Sequence, residues 1–479
     1  MEKLFGTDGI RGTAGEWPLV PDFIYKIGYA LGTVLRQRSE PLSVVVGRDT
    51  RQSGPELQAA ITRGLLASGV DVKDLGVMTT PGVAVLTRRM KAGAGVVLSA
   101  SHNPFEQNGI KFFSSTGQKL SVETEDAIEG VAHSAGEFTP VAQPGKAIDC
   151  SDAHETYTLD LLAEHRTKFL AGLTLVVDCS NGAAFKFGPD VLRRAGAHVH
   201  EINCSPNGTN INNDAGSEHV RRNPAEMGAL VRQHKADFAV SFDGDADRVV
   251  FCDAQGGLVD GDHMLGVLAR LLNARGKLLA GTVVTTTMRN TGFKNYVEAA
   301  GIRMEETPVG DKYVIERLME LRNGPSVNGS IGLGGEQAGH IVLLDDDHFT
   351  GDGIRTALYF ARAFREAGAS SLTQFAAAVG KTPQIIASAP VGDLAKLSKQ
   401  ELADLEEKTL TQTSGLIRAN LRYSGTEPLF RVMLESDGRQ TLEALAGIAV
   451  GLCRKVQSAA EAGKGIDILN CTSGGVTVA

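Results

Sequence analysis

Three stretches of the chain show the same succession of strand, turn, helix and strand, and this repeat limits the fold more than any other property of the sequence. Each begins with a β-branched run that breaks into a turn; the runs are SVVVGRDTRQSG from Ser43, LTLVVDCSNGAA from Leu173 and TVVTTTMRNTGF from Thr282. Each continues into a helix-like stretch and a second short strand, and the helices end at Gly69, Gly196 and Gly301. Alternating strands and helices are typical of parallel sheets, so the repeat predicts three similar mixed α/β domains.

A polar loop lies at a similar place in each repeat. Counted from Val44, Leu175 and Val283 in the first strands, the loops at Ser101, Asp243 and Glu336 lie 57, 68 and 53 residues further on. In such sheets, ligands gather beyond the carboxyl ends of the strands. We therefore expect the three loops to face a common cleft.

The first loop, Ala-Ser-His-Asn-Pro at residues 100–104, follows the strand-like run GAGVVLS. A serine hydroxyl needs activation, but a phosphorylated serine stores a phosphoryl group that it can pass to a substrate oxygen. Ser101 is therefore the candidate nucleophile. Backbone capping in a turn is the alternative for an isolated Ser-His-Asn-Pro.

The second loop, Asp-Gly-Asp-Ala-Asp-Arg at residues 243–248, follows the apolar run DFAVSF. Its three carboxylates, Asp243, Asp245 and Asp247, repel one another unless a cation lies among them, and hard oxygen ligands suit magnesium. A solvated acidic turn is the alternative. A calcium loop does not fit, because it would need Gly at Arg248 and Glu at Ala254. A phosphatase with Asp243 as its nucleophile would leave the serine loop without a role.

The third loop, GGEQAGH at residues 334–340, has paired glycines that let a ligand approach the backbone closely. Glu336 offers a carboxylate that can accept hydrogen bonds from sugar hydroxyls, and His340 offers an imidazole. On its own, a glycine-rich hairpin turn explains the loop equally well.

The chain from about residue 370 breaks the repeat and contains RYSGTEPLFR at residues 422–431. The groups of this segment that can donate hydrogen bonds to an anion are the side chains or backbone N–H groups of Arg422, Ser424, Gly425, Thr426 and Arg431. Charged and hydroxyl donors around a flexible glycine favour phosphate binding, whereas a surface hairpin with solvated arginines is the alternative. A mobile domain closing over the cleft would exclude water and protect a phosphoryl group from hydrolysis.

Length and composition are those of a multidomain globular protein. With about 150 residues per domain, 479 residues predict three or four domains, and we divide the chain into residues 1–150, 151–253, 254–368 and 369–455. The tail, 456–479, has no assigned role and is expected to be disordered. The net charge of −8 argues against general nucleic-acid binding. Neither a membrane span nor a signal peptide is apparent, which predicts a cytoplasmic protein, and scattered cysteines predict free thiols.

Seven segments together resemble the α-D-phosphohexomutase superfamily, and within it the bacterial members that act on glucosamine phosphates. They occur in family order and are LFGTDGIRG (4–12), GRDTRQSG (47–54), SASHNPFEQNGIKFF (99–113), DGDADR, TPVGDKYV (307–314), GGEQAGH and RYSGTEP. The resemblance implies three α/β domains and a smaller α+β C-terminal domain around a central cleft.

The resemblance also implies the roles of the site residues. It implies a phosphoserine at Ser101 and one magnesium ion per chain, held by Ser101, Asp243, Asp245 and Asp247. It implies substrate binding by Glu336 and the RYSGTEP loop, with His102 nearby. The groups expected to stabilise the phosphoryl group in transfer are Arg11, Lys111 and Arg248. Lys111 and His340 are candidates for the general acid and base, and His102 is a weaker one.

The reaction implied is the interconversion of glucosamine 6-phosphate and glucosamine 1-phosphate, toward UDP-N-acetylglucosamine, with glucosamine or glucose 1,6-bisphosphate as activator. Hexosamine phosphates are the expected partners, and a homodimer is left open. Phosphomannomutase/phosphoglucomutase activity is the alternative within the family. A metal-dependent phosphatase and a non-catalytic sugar-phosphate sensor are the alternatives outside it. Ala338 and Tyr423 replace a serine and a proline common among relatives, so sugar preference and loop stiffness are expected to differ.

Overall fold

The computed structural model describes residues 3–6, 8–134, 138–324, 329–392, 396–424, 428–457 and 464–479. The first domain contains β1 (Ile10–Thr13), α1 (Pro21–Gln37), β2 (Ser43–Arg48), α2 (Gly54–Ala67), β3 (Asp71–Val77), α3 (Thr80–Arg89), β4 (Ala94–Leu98), β5 (Gln107–Ser114), α4 (Val122–Ala132) and β6 (Ala147–Asp149). After a 3-10 turn (Ser151–Ala153), the second contains α5 (His154–Ala163), β7 (Thr174–Asp178), α6 (Phe187–Arg194), β8 (His198–Ile202), α7 (Gly216–Arg222), α8 (Pro224–Gln233), β9 (Phe238–Phe242), β10 (Val249–Cys252) and β11 (Leu258–Val259).

The third and fourth domains complete the chain. The third contains α9 (Gly261–Ala274), β12 (Leu278–Thr286), α10 (Thr291–Glu298), β13 (Arg303–Thr307), α11 (Asp311–Arg322), β14 (Ile331–Gly335), β15 (Ile341–Leu344), α12 (Gly353–Glu366) and α13 (Leu372–Ala376). The fourth contains β16 (Gln384–Pro390), α14 (Lys399–Gln412), β17 (Leu416–Tyr423), β18 (Leu429–Ser436), α15 (Leu442–Val456), β19 (Asp467–Asn470) and β20 (Val476–Val478). Among the described residues, every helix is too short or too polar to cross a membrane.

One sheet unit recurs in the first three domains. Its first strand (β2, β7 or β12) pairs in parallel with the second and third strands, and the third pairs with an antiparallel fourth. The strand orders β3-β2-β4-β5, β8-β7-β9-β10 and β13-β12-β14-β15 are therefore equivalent. The predicted α/β repeat is confirmed, and the antiparallel fourth strand makes each sheet mixed.

The sequence signals that define the repeat have clear structural causes. The first strands are buried because their apolar residues pack against helices on both faces of the sheet. Gly69, Gly196 and Gly301 follow the helices with φ of 81°, 107° and 72°, a left-handed conformation that glycine adopts without steric cost. In every unit the polar loop joins the third strand to the fourth, so the three loops occupy equivalent positions.

The expectation of a disordered tail is wrong for residues 464–479. Strand β19 pairs antiparallel with β16, and β20 pairs with β19, so the sheet of the fourth domain has the order β17-β18-β16-β19-β20. Ile466 and Ile468 are 0% and 7% exposed and belong to the apolar core of this domain. Their spacing of two places both on one face of the strand, and this short pattern explains why the tail folds.

The tail also contacts the second domain. The Arg222 guanidinium donates to Asp467 Oδ2 at 2.6 Å, and the backbone N–H of Gly475 donates to the Arg221 carbonyl at 2.8 Å. At the start of the fourth domain, Cys471 N–H donates to the Gln384 carbonyl at 2.9 Å. The fourth domain is therefore attached to the rest of the protein at two places, namely around the connection at residues 381–384, where Arg418 also donates to the Thr287 and Arg289 carbonyls, and at its own C-terminal strands.

Candidate active site

Ser101 lies in the loop between β4 and β5, with its hydroxyl directed at the acidic loop of the second domain. It has φ of 52°, an uncommon value for a residue other than glycine, and is 1% exposed. Its hydroxyl donates a hydrogen bond of 2.6 Å to Asp243 Oδ2. The structure therefore brings together the two loops for which sequence analysis predicted a shared site.

The acidic loop between β9 and β10 holds three buried carboxylates. Asp243, Asp245 and Asp247 each offer an oxygen, and these oxygens lie within 4.8 Å of one another. Burial, together with the charges of Asp247 and Asp245, raises the pKa of Asp243 well above its usual value. This concentration of negative charge requires nearby cations.

Lys111 on β5 supplies one of these cations. Its ammonium lies 2.9 Å from Asp245 Oδ2, 3.2 Å from Asp247 Oδ2 and 3.3 Å from Asp8 Oδ2. Burial alone would raise the pKa of Asp245, but the charge and hydrogen bond of Lys111 outweigh it and lower the pKa to about 2. Conversely, Asp245, Asp8 and Asp247 overcome the burial of Lys111 and raise its pKa well above the usual value.

The acidic loop also has the chemistry of a divalent-cation site. Within the described part of the chain, Asp245 Oδ1 and Asp247 Oδ1 are buried and accept no hydrogen bond. Buried carboxylate oxygens that accept no hydrogen bond are costly unless a cation binds them. The donor set of carboxylates and a serine hydroxyl therefore fits a hard ion such as magnesium.

Arg248 and His102 lie beside the serine hydroxyl. Arg248 donates to His102 Nδ1 at 3.1 Å, and that nitrogen is 3.4 Å from Ser101 Oγ. Burial lowers the pKa of His102, and the charges of Arg248, Arg11 and Arg431 lower it further. A neutral imidazole in this position accepts a hydrogen bond from Arg248 and holds the guanidinium beside the serine. Arg11 approaches the same loop and donates to the Ala100 carbonyl at 3.4 Å.

The GGEQAGH loop between β14 and β15 packs against the acidic loop. Val249 N–H donates to the Gly339 carbonyl at 3.1 Å, and Arg248 and His340 form a backbone bridge. Glu336 Oε1 accepts from Gly310 N–H at 3.2 Å, which orients its carboxylate. The loops of the second and third repeats thus form one continuous wall of the cleft.

A chain of alternating charges was missed by sequence reasoning. Lys119 contacts Asp8 Oδ1 at 2.9 Å and Asp311 Oδ2 at 2.7 Å, and Asp311 Oδ2 lies 3.6 Å from His340 Nε2. Asp8 in turn contacts Lys111 and forms an ion pair with Arg11. The signal was present, because Asp8 and Asp311 lie within the segments FGTDGIRG and TPVGDKYV, but neither segment predicts the distant residues that its aspartate contacts.

The fourth domain directs two arginines toward the cleft. Arg422 on β17 and Arg431 on β18 are directly opposite in the antiparallel register. Burial and the charge of Arg431 lower the pKa of Arg422, whereas Glu336 raises it. Two facing cations favour an anion between them. Ser424 N–H donates to the Leu429 carbonyl at 2.8 Å, and Gly425 and Thr426 lie outside the described residues.

Four family models match consecutive parts of the chain. They are described as phosphoglucomutase/phosphomannomutase alpha/beta/alpha domain I over residues 2–138, domain II over 155–257, domain III over 260–381, and the C-terminal domain over 380–450. The phosphoglucosamine mutase of Pelotomaculum thermopropionicum is 42% identical over 460 residues, which cover 95% of this chain and 100% of the relative. That of Deinococcus deserti is 42% identical over 453 residues, covering 94% and 98%.

Solved structures share the fold. A phosphoglucomutase/phosphomannomutase family protein from Burkholderia thailandensis superposes with a TM-score of 0.77 at 22% identity, covering 95% of this chain and 97% of the other. The N-acetylphosphoglucosamine mutase of Aspergillus fumigatus, in complex with GlcNAc-6P and magnesium, superposes with a TM-score of 0.65 at 18% identity, covering 95% of both chains.

Proposed function

The chain belongs to the phosphoglucomutase/phosphomannomutase family of α-D-phosphohexomutases, and from this premise we propose that it is a phosphoglucosamine mutase interconverting glucosamine 6-phosphate and glucosamine 1-phosphate. Relatives that are 40–43% identical over nearly the whole chain carry that name. The observation that carries the proposal is the 2.6 Å contact between Ser101 Oγ and Asp243 in a cleft lined by all three repeats. We place the reaction in the cytoplasm, with no nucleic-acid or membrane partner.

The proposed reaction has two phosphoryl transfers. In the first, the P–O bond to Ser101 Oγ breaks as a bond forms to the free oxygen of the sugar monophosphate, and the hydroxyl proton of the sugar replaces the phosphoryl group on the serine. The product is a 1,6-bisphosphate. It turns around in the cleft, and the reverse transfer from its other end phosphorylates Ser101 again. The enzyme ends as it began.

The cleft residues supply the charge and proton handling for these transfers. Arg11, Arg248 and Lys111 would stabilise the negative charge on the phosphoryl oxygens. Asp243, Asp245, Asp247 and Ser101 would hold a magnesium ion, which when bound supplies charge neutralisation at the phosphoryl group. His340 and Lys111 are the groups proposed to carry protons between the sugar and the serine.

Substrate recognition would involve the third and fourth domains. Glu336 would accept hydrogen bonds from sugar hydroxyls, and its carboxylate is already fixed by Gly310 N–H. The facing pair Arg422 and Arg431 would bind the phosphate that is not being transferred, assisted by Ser424 and the adjoining Gly425 and Thr426. His102 would hold Arg248 at the substrate side of the serine loop.

Replacing the proposed nucleophile tests the proposal. In Ser101→Ala, we expect turnover of glucosamine 6-phosphate with glucose 1,6-bisphosphate present to fall by about 10³-fold or more, as is common for loss of a catalytic nucleophile. Ser114→Ala, on the far end of β5, is the matched control and should behave like the parent. Intact-protein mass should show a phosphorylated fraction in the parent and in Ser114→Ala only. Near-parental turnover by Ser101→Ala would refute the phosphoserine mechanism.

Turnover of different sugar phosphates, release of inorganic phosphate and ligand binding separate the alternatives. Faster turnover of glucosamine phosphates than of glucose or mannose phosphates supports the proposed substrate, and the opposite order supports a phosphomannomutase/phosphoglucomutase. Steady release of inorganic phosphate without isomerisation would indicate a phosphatase that uses Asp243. Tight binding without turnover or serine phosphorylation would indicate a sensor.

A further inference from the structure

The serine loop has an unusual backbone that other parts of the molecule hold in place. Ser101 has φ of 52°, and this left-handed region is unfavourable for a residue with a side chain, so it persists only where the surroundings hold the backbone there. The carbonyls of Ser101 and Asn103 each accept hydrogen bonds from two side chains, one in each of two domains. The Ser101 carbonyl lies close to Gly244 of the acidic loop, where an added Cβ would come within 2.5 Å of it, and the serine hydroxyl donates to Asp243 of the same loop.

Arg51 is the donor from the first domain. Its guanidinium is fully buried and donates to the Ser101 and Asn103 carbonyls at 2.9 Å each, and to the Gln107 carbonyl at 3.0 Å. The Asp49 carboxylate pairs with Arg51 Nε at 2.8 Å and accepts from Ser99 Oγ at 2.7 Å. Arg51 therefore spans the loop between β4 and β5.

Asn212 is the donor from the second domain. Its Nδ2 donates to the Ser101 carbonyl at 2.8 Å and to the Asn103 carbonyl at 2.9 Å. Its Oδ1 accepts from Ser180 Oγ at 2.6 Å, so the amide is oriented with its nitrogen toward the serine loop. No role in binding the sugar follows from this geometry, because both amide protons are used by the loop.

We propose that Arg51 and Asn212 are positioning residues that hold the serine loop from two sides and keep Ser101 Oγ directed at the acidic loop. The inference rests on the proposed function, since it concerns the reactivity of Ser101. If either donor were lost, the backbone of Ser101 could relax toward negative φ, and its hydroxyl would turn with it. A displacement of about 1 Å at a reacting atom can slow a reaction by about 100-fold.

Asn212→Asp tests the proposal with little change in shape. The substitution removes the two donated hydrogen bonds and places a carboxylate against two carbonyl oxygens. Asn213→Asp adds the same charge at an exposed neighbouring position and is the matched control. For Asn212→Asp we expect kcat to fall at least 10-fold with KM for the sugar phosphate changed less than 2-fold, and phosphorylation of Ser101 by glucose 1,6-bisphosphate to slow by the same factor. Asn213→Asp should match the parent.

A second measurement does not depend on turnover. Hydrogen–deuterium exchange of the peptide covering residues 99–107 should accelerate in Asn212→Asp and in Asn212→Ala, but not in Asn213→Asp. Parental exchange rates or a parental kcat in both Asn212 variants would overturn the positioning role. If the parent itself transfers no phosphoryl group, the proposed function fails, and the exchange rates still decide whether Asn212 holds the loop.

Discussion

Lys111→Met removes the positive charge that lies among three buried or partly buried carboxylates. Methionine keeps an unbranched stem of similar length, so the packing around β5 changes little. What disappears is the ammonium that lies within 3.3 Å of Asp245, Asp247 and Asp8. Lys111 is 4% exposed, so water cannot replace it without opening the site.

The expected loss in the free energy of unfolding is about 3–5 kcal/mol at pH 7 without divalent cations, the usual cost of removing one partner of a buried ion pair. Its pH dependence has a definite sign. In the parent, Lys111 lowers the pKa of Asp245 to about 2, so this contribution is present above the unfolded value near 4 and is lost as the pH falls toward 2. The difference between parent and variant should therefore shrink on acidification.

Urea unfolding of the parent, Lys111→Met and the exposed control Lys399→Met measures this loss. Magnesium should stabilise Lys111→Met more than it stabilises the parent, because a bound cation replaces the missing positive charge. A loss below about 1 kcal/mol at pH 7, equal to that of the control, would refute the electrostatic reasoning, since buried pairs are expected to cost more. A loss in the free energy of unfolding that grew on acidification would contradict the predicted direction of the pH dependence.

Two further predictions concern the stability of other parts of the molecule. Ile466→Ala should destabilise the fourth domain by about 2–5 kcal/mol, whereas Val478→Ala, at an exposed position, should change the stability of this domain little. Hydrogen–deuterium exchange of β16 measures the stability of the domain in both variants. Equal protection of β16 in the two variants would contradict a packed tail. Burial lowers the pKa of His165 to about 4, below its unfolded value near 6.5, so the free energy of unfolding should fall as the pH drops from 6.5 to 4. In His165→Gln the free energy of unfolding should lose this part of its pH dependence. If urea unfolding gave the variant the same pH profile as the parent, the prediction for His165 would be wrong.

Much of the fold could be predicted because each repeat carries its own local signals. The β-branched runs, the glycines after the helices and the polar loops at Ser101, Asp243 and Glu336 depend on neighbours in sequence. The tail was misjudged because a short strand is stabilised by the edge of β16, which lies far away in the chain. Local patterns therefore predict the helices and strands better than they predict which strands pair with one another.

The site shows the same limit. Residues with conspicuous chemistry, such as the three aspartates, could be chosen from sequence. Lys119 and Asp311 could not be paired, because their contact forms only when the first and third domains meet. Arg51 and Asn212 were also missed, since an arginine and an asparagine in polar loops give no sign that they bind carbonyls in another segment.

The double attachment of the fourth domain restricts how the cleft can open. A body joined to a base at one point can rotate about three independent axes, but a body joined at two points can rotate only about the line through them. Here that line runs from the connection at residues 381–384, beside which Arg418 donates to the Thr287 and Arg289 carbonyls, to the contacts of Asp467 and Gly475 with α7. Arg422 and Arg431 would then swing along a single arc and return to the same position over the cleft each time it closes.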